Sequence, residues 1–326
     1  MLPLRLALAF PFLLLRVLWL KLTGRLPARW PFAFAVAVFV VRFLIARITR
    51  PLLAGEKLDL PAPALRGRLG RETKRLAAKL AGRDAEWLTP HGSDTRRCIL
   101  YLHGGAFVTG SIGTHRRLMA NLARAADARV VGLDYRLAPE HRFPAGLEDC
   151  VAAYQALLDA GEDPKHLAIA GDSAGGGLTA STLLALKQRG LPLPAAAWLL
   201  SPAVDLGADE FKPHDDSKWD YLAPLLDHLE GLVGVYLGPD ADRQHPLASP
   251  LRGDLTGLPP LLLHVGEYEV LLHQTRDFAA RATAAGVPVT LVEGPQMVHV
   301  YPAFAGLVPE ATEALAQAGA FFKRHL

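Results

Sequence analysis

Cysteine is scarce in this chain, with Cys98 and Cys150 the only two among 326 residues. Neither stands in a Cys-x-x-Cys pair or has metal-ligand spacing, which excludes a cysteine-rich zinc site and leaves a single disulfide as the alternative to two free thiols. Cys98 falls in an apolar run and Cys150 in a helical pattern, so both read as buried thiols in a reducing compartment. Also missing are His-Glu-x-x-His, the phosphate-cradling Gly-x-x-x-x-Gly-Lys, and a strand-linked Gly-x-Gly-x-x-Gly with a downstream ribose acid. The reading therefore carries no metal and no cofactor. A formal charge of only +3 gives no reason to expect a nucleic-acid partner. Acid is absent from the first 55 residues, which hold eight Arg or Lys, so the basic character belongs to one end of the chain.

What is present in quantity is apolar: 51% of residues against 21% charged, the balance of a globular chain long enough to bury a large core. Residues 2–20 and 30–46 are long apolar stretches around a basic turn, Lys21 to Arg29. Residues 51–90 are mixed, with Pro51, Pro61 and Pro63 breaking the chain before a segment around Arg71–Leu80 that reads as helical. From about residue 91 short apolar runs (98–102, 129–133, 167–170, 196–200, 260–265, 287–292) alternate with helical patterns (115–127, 147–160, 176–189, 272–285). That rhythm predicts a mostly parallel sheet covered on both faces. Residues 207–245 interrupt it with polar and aromatic residues and read as an insertion over the sheet. The division expected is an N-terminal helical cap over 1–90 and a sheet-bearing domain over 91–326.

The run Leu167 to Gly177 passes from an apolar strand through Gly171-Asp172-Ser173-Ala174-Gly175 into a helix opening at about Gly176. A turn this sharp lifts the serine hydroxyl above the sheet, and a side chain at Gly171 or Gly175 would clash within it. The helix that follows aims its free N–H groups at developing negative charge. After the 98–102 run comes His103-Gly104-Gly105-Ala106-Phe107, where adjacent glycines let N–H groups face a cavity. Those of Gly104 and Gly105, with that of Ala174, are candidates to hold an oxyanion, each such donor being worth about 3–4 kcal/mol of barrier. A nucleophilic serine needs a base, and the base needs a carboxylate. On this strand–turn–helix pattern the acid follows the serine and the histidine comes last. His299 is the one histidine between the last apolar run and the last helical pattern, from about Val308. After the 260–265 run, Glu269 is the first candidate acid and Glu267 the second.

These motifs, together with the run Asp134 to Ala145, Ser201-Pro202, Ser249-Pro250 and Pro259-Pro260, resemble the hormone-sensitive-lipase-like esterases over about residues 85–326. The similarity is greatest to the bacterial branch that includes monoterpene ε-lactone hydrolases and acetyl esterases. The resemblance implies an α/β-hydrolase fold with a helical cap. It implies Ser173, Glu269 and His299 as catalytic triad, and Gly104, Gly105 and Ala174 as oxyanion donors. Two residues depart from the common pattern. Ala106 stands where a third glycine is frequent, narrowing the alcohol side, and Glu269 stands where Asp is usual.

Asp172, Arg136 and His103 read as braces for the loops around the site rather than substrate contacts. Trp198 reads as sheet core, and Trp219 and Tyr221 as pocket lining or lid packing. The function expected is hydrolysis of a small to medium apolar ester or lactone through an acyl-enzyme. An acyltransferase on the same triad is the alternative, which product ratios with added alcohol would distinguish. A non-catalytic ligand-binding protein, as in a family branch that has lost the histidine, is disfavoured by the presence of His299.

For residues 1–50 the expectation is a membrane surface as partner. A 17-residue helix is about 25 Å long, short for a hydrocarbon layer of ~30 Å, and cations at both ends of the hairpin leave nothing to orient a crossing. Helices lying in the surface, on the cytoplasmic side, satisfy both constraints, and the cap that the resemblance implies would put them near the active-site mouth. No small-x-small cleavage site follows the first apolar stretch. The competing picture is a soluble cap pair buried against the 207–245 insertion.

Overall fold

The computed structural model describes residues 2–56, 67–207 and 214–326. Two long helices come first, α1 (Leu2–Leu22) and α2 (Phe32–Leu53), then a single turn, α3 (Gly67–Arg71). An eight-stranded sheet follows: β1 (Thr73–Leu80), β2 (Arg83–Pro90), β3 (Cys98–Leu102), β4 (Arg129–Leu133), β5 (Leu167–Asp172), β6 (Ala196–Leu200), β7 (Leu261–Gly266) and β8 (Val289–Gly294). Its spatial order is β1-β2-β4-β3-β5-β6-β7-β8. The β1–β2 and β2–β4 pairs are antiparallel, and every other pair is parallel. The connecting helices are α4 (Ile112–Ala126), α5 (Ala145–Asp159), α6 (Ala174–Gln188), α7 (Leu229–Leu237) and α8 (Leu272–Ala284), with α9 (Pro309–His325) closing the chain.

The two-residue side-chain period of the strands builds two cores. Leu100, Leu102, Ile169, Leu199 and Leu263 point to one face, where Leu147 and Tyr154 of α5, Leu178 of α6 and Phe278 of α8 cover them. Ile99, Tyr101, Ala170, Trp198 and Leu262 point to the other, under Leu118, Met119 and Leu122 of α4 and Leu315 and Phe322 of α9. Being covered on both sides is why β3, β5, β6 and β7 read as unbroken apolar runs. Cys98 and Cys150 are buried free thiols in the first core, and burial pushes Cys98 up to about 12.

The chain leaves β3 for β4 on one side and returns to β5 on the other. Their following loops therefore part at the carboxyl ends of β3 and β5, the switch point where open α/β sheets hold their ligands.

Two expectations are corrected. Arg71–Leu80 is not a helix: Thr73–Leu80 is an edge strand whose backbone groups pair with β2. The sheet thus begins inside the segment assigned to the cap, and the boundary at residues 90/91 falls too late. Pro51 lies inside α2, and Pro61 and Pro63 lie outside the described residues. Of the 207–245 insertion, the described residues from His214 on carry 3-10 turns at Asp215–Trp219 and Ala223–His228 before α7.

The helical pair is docked by α2. Trp30 meets Trp219 edge-on at 5.9 Å and donates from Nε1 to the Gln296 carbonyl at 2.6 Å. Arg42 Nη1 donates to the carbonyls of Lys218 and Asp220. Phe34, Ala35 and Val38 are buried, whereas of the α1 side chains described only Val17 is.

Candidate active site

Ser173 stands between β5 and α6 with φ 55° and ψ −120°, a left-handed backbone that a non-glycine residue adopts only where its surroundings force it. The force is steric and hydrogen-bonded. A Cβ on Gly175 would run into the Leu102 carbonyl, and one on Gly171 into the Gly175 carbonyl. Ser173 N–H donates to the Leu200 carbonyl at 2.8 Å, tying the turn to β6. The serine thereby enters a cavity of about 540 Å³ that His299 also lines.

His299 lies in the loop after β8, and Glu269 in the turn after β7. Both are buried, and His299 Nδ1 is 2.9 Å from Glu269 Oε2. The second carboxylate oxygen, Oε1, accepts from the Gly266 amide at 2.5 Å and the Ser201 hydroxyl at 2.6 Å. Glu267 is elsewhere: its Oε2 accepts from the Gln296 amide. Asp220, fully buried, accepts the His299 amide at 3.3 Å and the Val270 amide at 3.0 Å. Burial pulls the His299 imidazole down, but the hydrogen bond and charge of Glu269, then the charge of Asp220, outweigh it and hold it above its ordinary 6.5.

Gly104, Gly105 and Ala174 all line the cavity. Their amides are not equivalent. Gly104 N–H donates to Asp172 Oδ1 at 3.2 Å, so this expected donor is already engaged. Ala174 opens α6 and has no intrahelical acceptor. The amides of Gly105 and its neighbour Ala106 meet no acceptor among the described residues. Ala106 and Phe107 take φ of 53° and 64°, which turns the loop over at this point.

Asp172 also accepts from Tyr101 Oη at 2.7 Å and lies 3.2 Å from His115 Nε2. A Cβ on Gly104 would overlap its carboxylate. His103 stacks on Tyr135 at 4.3 Å, its Nδ1 is 2.8 Å from the Gly104 carbonyl, and burial followed by the nearby His115 lowers it to about 3. A neutral His103 donating from Nδ1 braces the glycine loop, as the sequence reading expected. Arg136 likewise braces its own loop through Asp149 at 2.8 Å. Tyr221 lies against His299 with ring centroids 5.8 Å apart, and Trp198 is core.

Sequence reasoning missed Ser201 and Asp220. Ser201 also turns through a positive φ, 46°, and its hydroxyl accepts the Val300 amide at 3.0 Å while donating to Glu269. It was legible only as half of the Ser201-Pro202 pair. Asp220 sits in the insertion with no motif around it.

A family model for the α/β-hydrolase fold matches residues 99–303. The acetyl-hydrolase of Streptomyces hygroscopicus is 45% identical over 239 residues, covering 73% of this chain and 79% of that one. Esterase LipU of Mycobacterium tuberculosis is 36% identical over 77% of this chain and 87% of its own. Among solved structures, an esterase from the bacterial hormone-sensitive lipase family superposes with a TM-score of 0.76 at 38% identity, covering 96% and 98% of the two chains. An esterase/lipase from an uncultured bacterium gives 0.74 at 39% identity, covering 86% and 98%. The chain belongs to the hormone-sensitive-lipase-like family of α/β-hydrolases and is a carboxylic ester hydrolase.

Proposed function

We propose that Ser173 is the nucleophile of this hydrolase, His299 its general base and Glu269 the carboxylate that orients the base. The observation that carries the assignment is the 2.9 Å approach of His299 Nδ1 to a buried Glu269, at the cavity into which the elbow lifts Ser173. With Nδ1–H donated to Glu269, Nε2 is left with its lone pair to take the Ser173 proton as Oγ attacks an ester carbonyl. The negative oxygen of the tetrahedral intermediate is received by the Ala174 and Gly105 amides. The free Ala106 amide takes the part expected of Gly104. His299 then protonates the departing alcohol, and water repeats the sequence to release the acid. A lactone opens by the same steps.

Ser173→Ala and His299→Ala should each lower hydrolysis of p-nitrophenyl butyrate by about 10⁴-fold or more while leaving the circular dichroism spectrum and melting temperature unchanged. A folded Ser173→Ala protein that keeps a tenth of the activity overturns the assignment.

A membrane surface is the proposed second partner. Leu8, Phe12, Leu15, Trp19 and Leu22 of α1 are each at least half exposed, and their spacing of four and three puts them on one stripe of the helix. Cations flank it: the Arg25 guanidinium stands 4.9 Å over the Trp19 ring, and Lys21 lies 5.7 Å over Phe32. An apolar stripe bordered by cations suits a helix lying at the headgroup boundary of an anionic bilayer. By length and composition α2 is also apolar enough to cross a membrane, but a third of its most apolar stretch is buried, and Arg42 binds the insertion. This supports the in-plane arrangement.

A further inference from the structure

Asp172, the residue before Ser173, is 3% exposed, and three groups converge on its carboxylate. Tyr101 Oη and the Gly104 amide donate to Oδ1 at 2.7 and 3.2 Å, and His115 Nε2 lies 3.2 Å from Oδ2. Tyr101 and Gly104 bring no charge. Among the groups bonded to this buried anion, only His115 can carry a compensating one. Arg116, next along α4, is spent on Glu86 of β2 at 2.6 Å. His103, its ring centroid 5.6 Å from that of His115, is neutral, because burial and then the His115 charge lower it to about 3.

The other side of the His115 ring shows which form it takes. Nδ1 lies 3.2 Å from the Ser111 carbonyl and 2.8 Å from Thr114 Oγ1. The carbonyl can only accept. The Thr114 hydroxyl donates its one proton to that same carbonyl at 2.8 Å and accepts the Ser111 amide at 3.0 Å, in the box that caps α4. Toward Nδ1, Oγ1 is therefore an acceptor as well. With acceptors at both nitrogens, each nitrogen carries a hydrogen, and that form of the ring is the imidazolium.

We infer that His115 is a positioning residue for catalysis, an imidazolium whose charge cancels that of Asp172 so that the oxyanion forms at Ser173 with no opposing charge behind it. This rests on Ser173 being the nucleophile. Burial pulls the His115 ring down, but the charge and hydrogen bond of Asp172, the Ser111 carbonyl and the charge of Asp134 after β4 outweigh it and hold it above 6.5. Arg117, one turn-step further on α4, and His299, whose ring also feels the Asp172 charge, are the other ionisable groups at this end of the cavity. The His115 cation is hydrogen-bonded through both nitrogens, whereas His299 spends only its Nδ1–H, so His115 gives up its proton at the higher pH. Activity gained as His299 becomes neutral is then followed, further toward alkali, by a loss as His115 becomes neutral.

The test is kcat/KM for p-nitrophenyl butyrate from about pH 5 to about pH 10, with spontaneous hydrolysis subtracted, in full-length wild type and His115→Gln. Wild type should rise, level off, and fall on the alkaline side to a second, lower plateau. His115→Gln, a neutral donor of similar reach, should show no alkaline fall and should lie at that lower plateau, roughly tenfold below the wild-type maximum. Proton–nitrogen correlation spectra of wild type, isotope-labelled at its histidine ring nitrogens, read the charge itself and keep the test decisive if the variant does not fold. Above the His299 midpoint one ring should still carry hydrogens on both nitrogens, and in folded His115→Gln that ring should be missing. A folded variant that loses the same factor at every pH and keeps the alkaline fall, or a wild-type spectrum with no such ring, overturns the inference. Activity that survives Ser173→Ala instead overturns the active-site assignment, and leaves the His115 signal in place.

Discussion

His299 is held by two buried carboxylates that grip different parts of it, Glu269 the ring and Asp220 the backbone amide. Their charges set its ionisation. Because they hold the imidazole above 6.5 against the pull of burial, and because neutral imidazole is the reactive form, kcat/KM should rise with pH through a midpoint above about 6.5. Glu269→Gln keeps the shape and removes the carboxylate that raises His299 more. The midpoint should move toward acid while the plateau falls at least about tenfold, because the amide no longer compels the Nδ1–H tautomer. A pH–rate profile of the two proteins checks this. An unmoved midpoint in the variant would mean that Glu269 is not what raises His299. Glu269 and His299 could be picked out of the sequence because chain order on this fold restricts where each sits. Ser201 and Asp220 could not, since they meet their partners 68 and 79 residues away and belong to no motif. Gly104 shows the opposite failure. The loop was legible, but which of its amides stays free depends on where the Asp172 carboxylate points.

Elements were legible where one period ruled them. The central strands, buried on both faces, and the helices between them fall within a few residues of their expected bounds. β1 was not, because after Thr73 it is built of Lys, Arg, Ala and Leu, all strong helix formers. Pairing with β2 along its length overrides that preference, and Arg75 meets Glu86 on the neighbouring strand at 2.9 Å. The helical pair divides its labour. α2 is a wall of the cavity and α1 is the side turned to solvent. Replacing Phe12 and Leu15 by Glu puts two acids into the exposed stripe without touching buried Val17. Wild-type protein should float with vesicles containing anionic lipid, and the double variant should remain at the bottom of the gradient with unchanged activity on p-nitrophenyl butyrate. Wild type that stays monodisperse without detergent and ignores the vesicles contradicts the membrane reading.

Across the whole molecule, one topological feature brings the site together. Reversal of strand order at β3 opens a crevice between the glycine loop and the serine turn. β7 and β8, further along the same sheet edge, deliver Glu269 and His299 to it from the far half of the chain. The described part of the insertion and α2 then line the apolar cavity on the side away from the sheet. The chemistry proposed at this site requires Ser173 to be the group that becomes acylated. Mass spectrometry of the full-length protein after reaction with an alkyl p-nitrophenyl phosphonate, followed by mapping of the labelled peptide, tests that directly. The account predicts one adduct per chain, on Ser173, with activity lost in step with labelling and no adduct in Ser173→Ala. Inactivation with the label on another residue, or full activity in protein quantitatively labelled at Ser173, would contradict it.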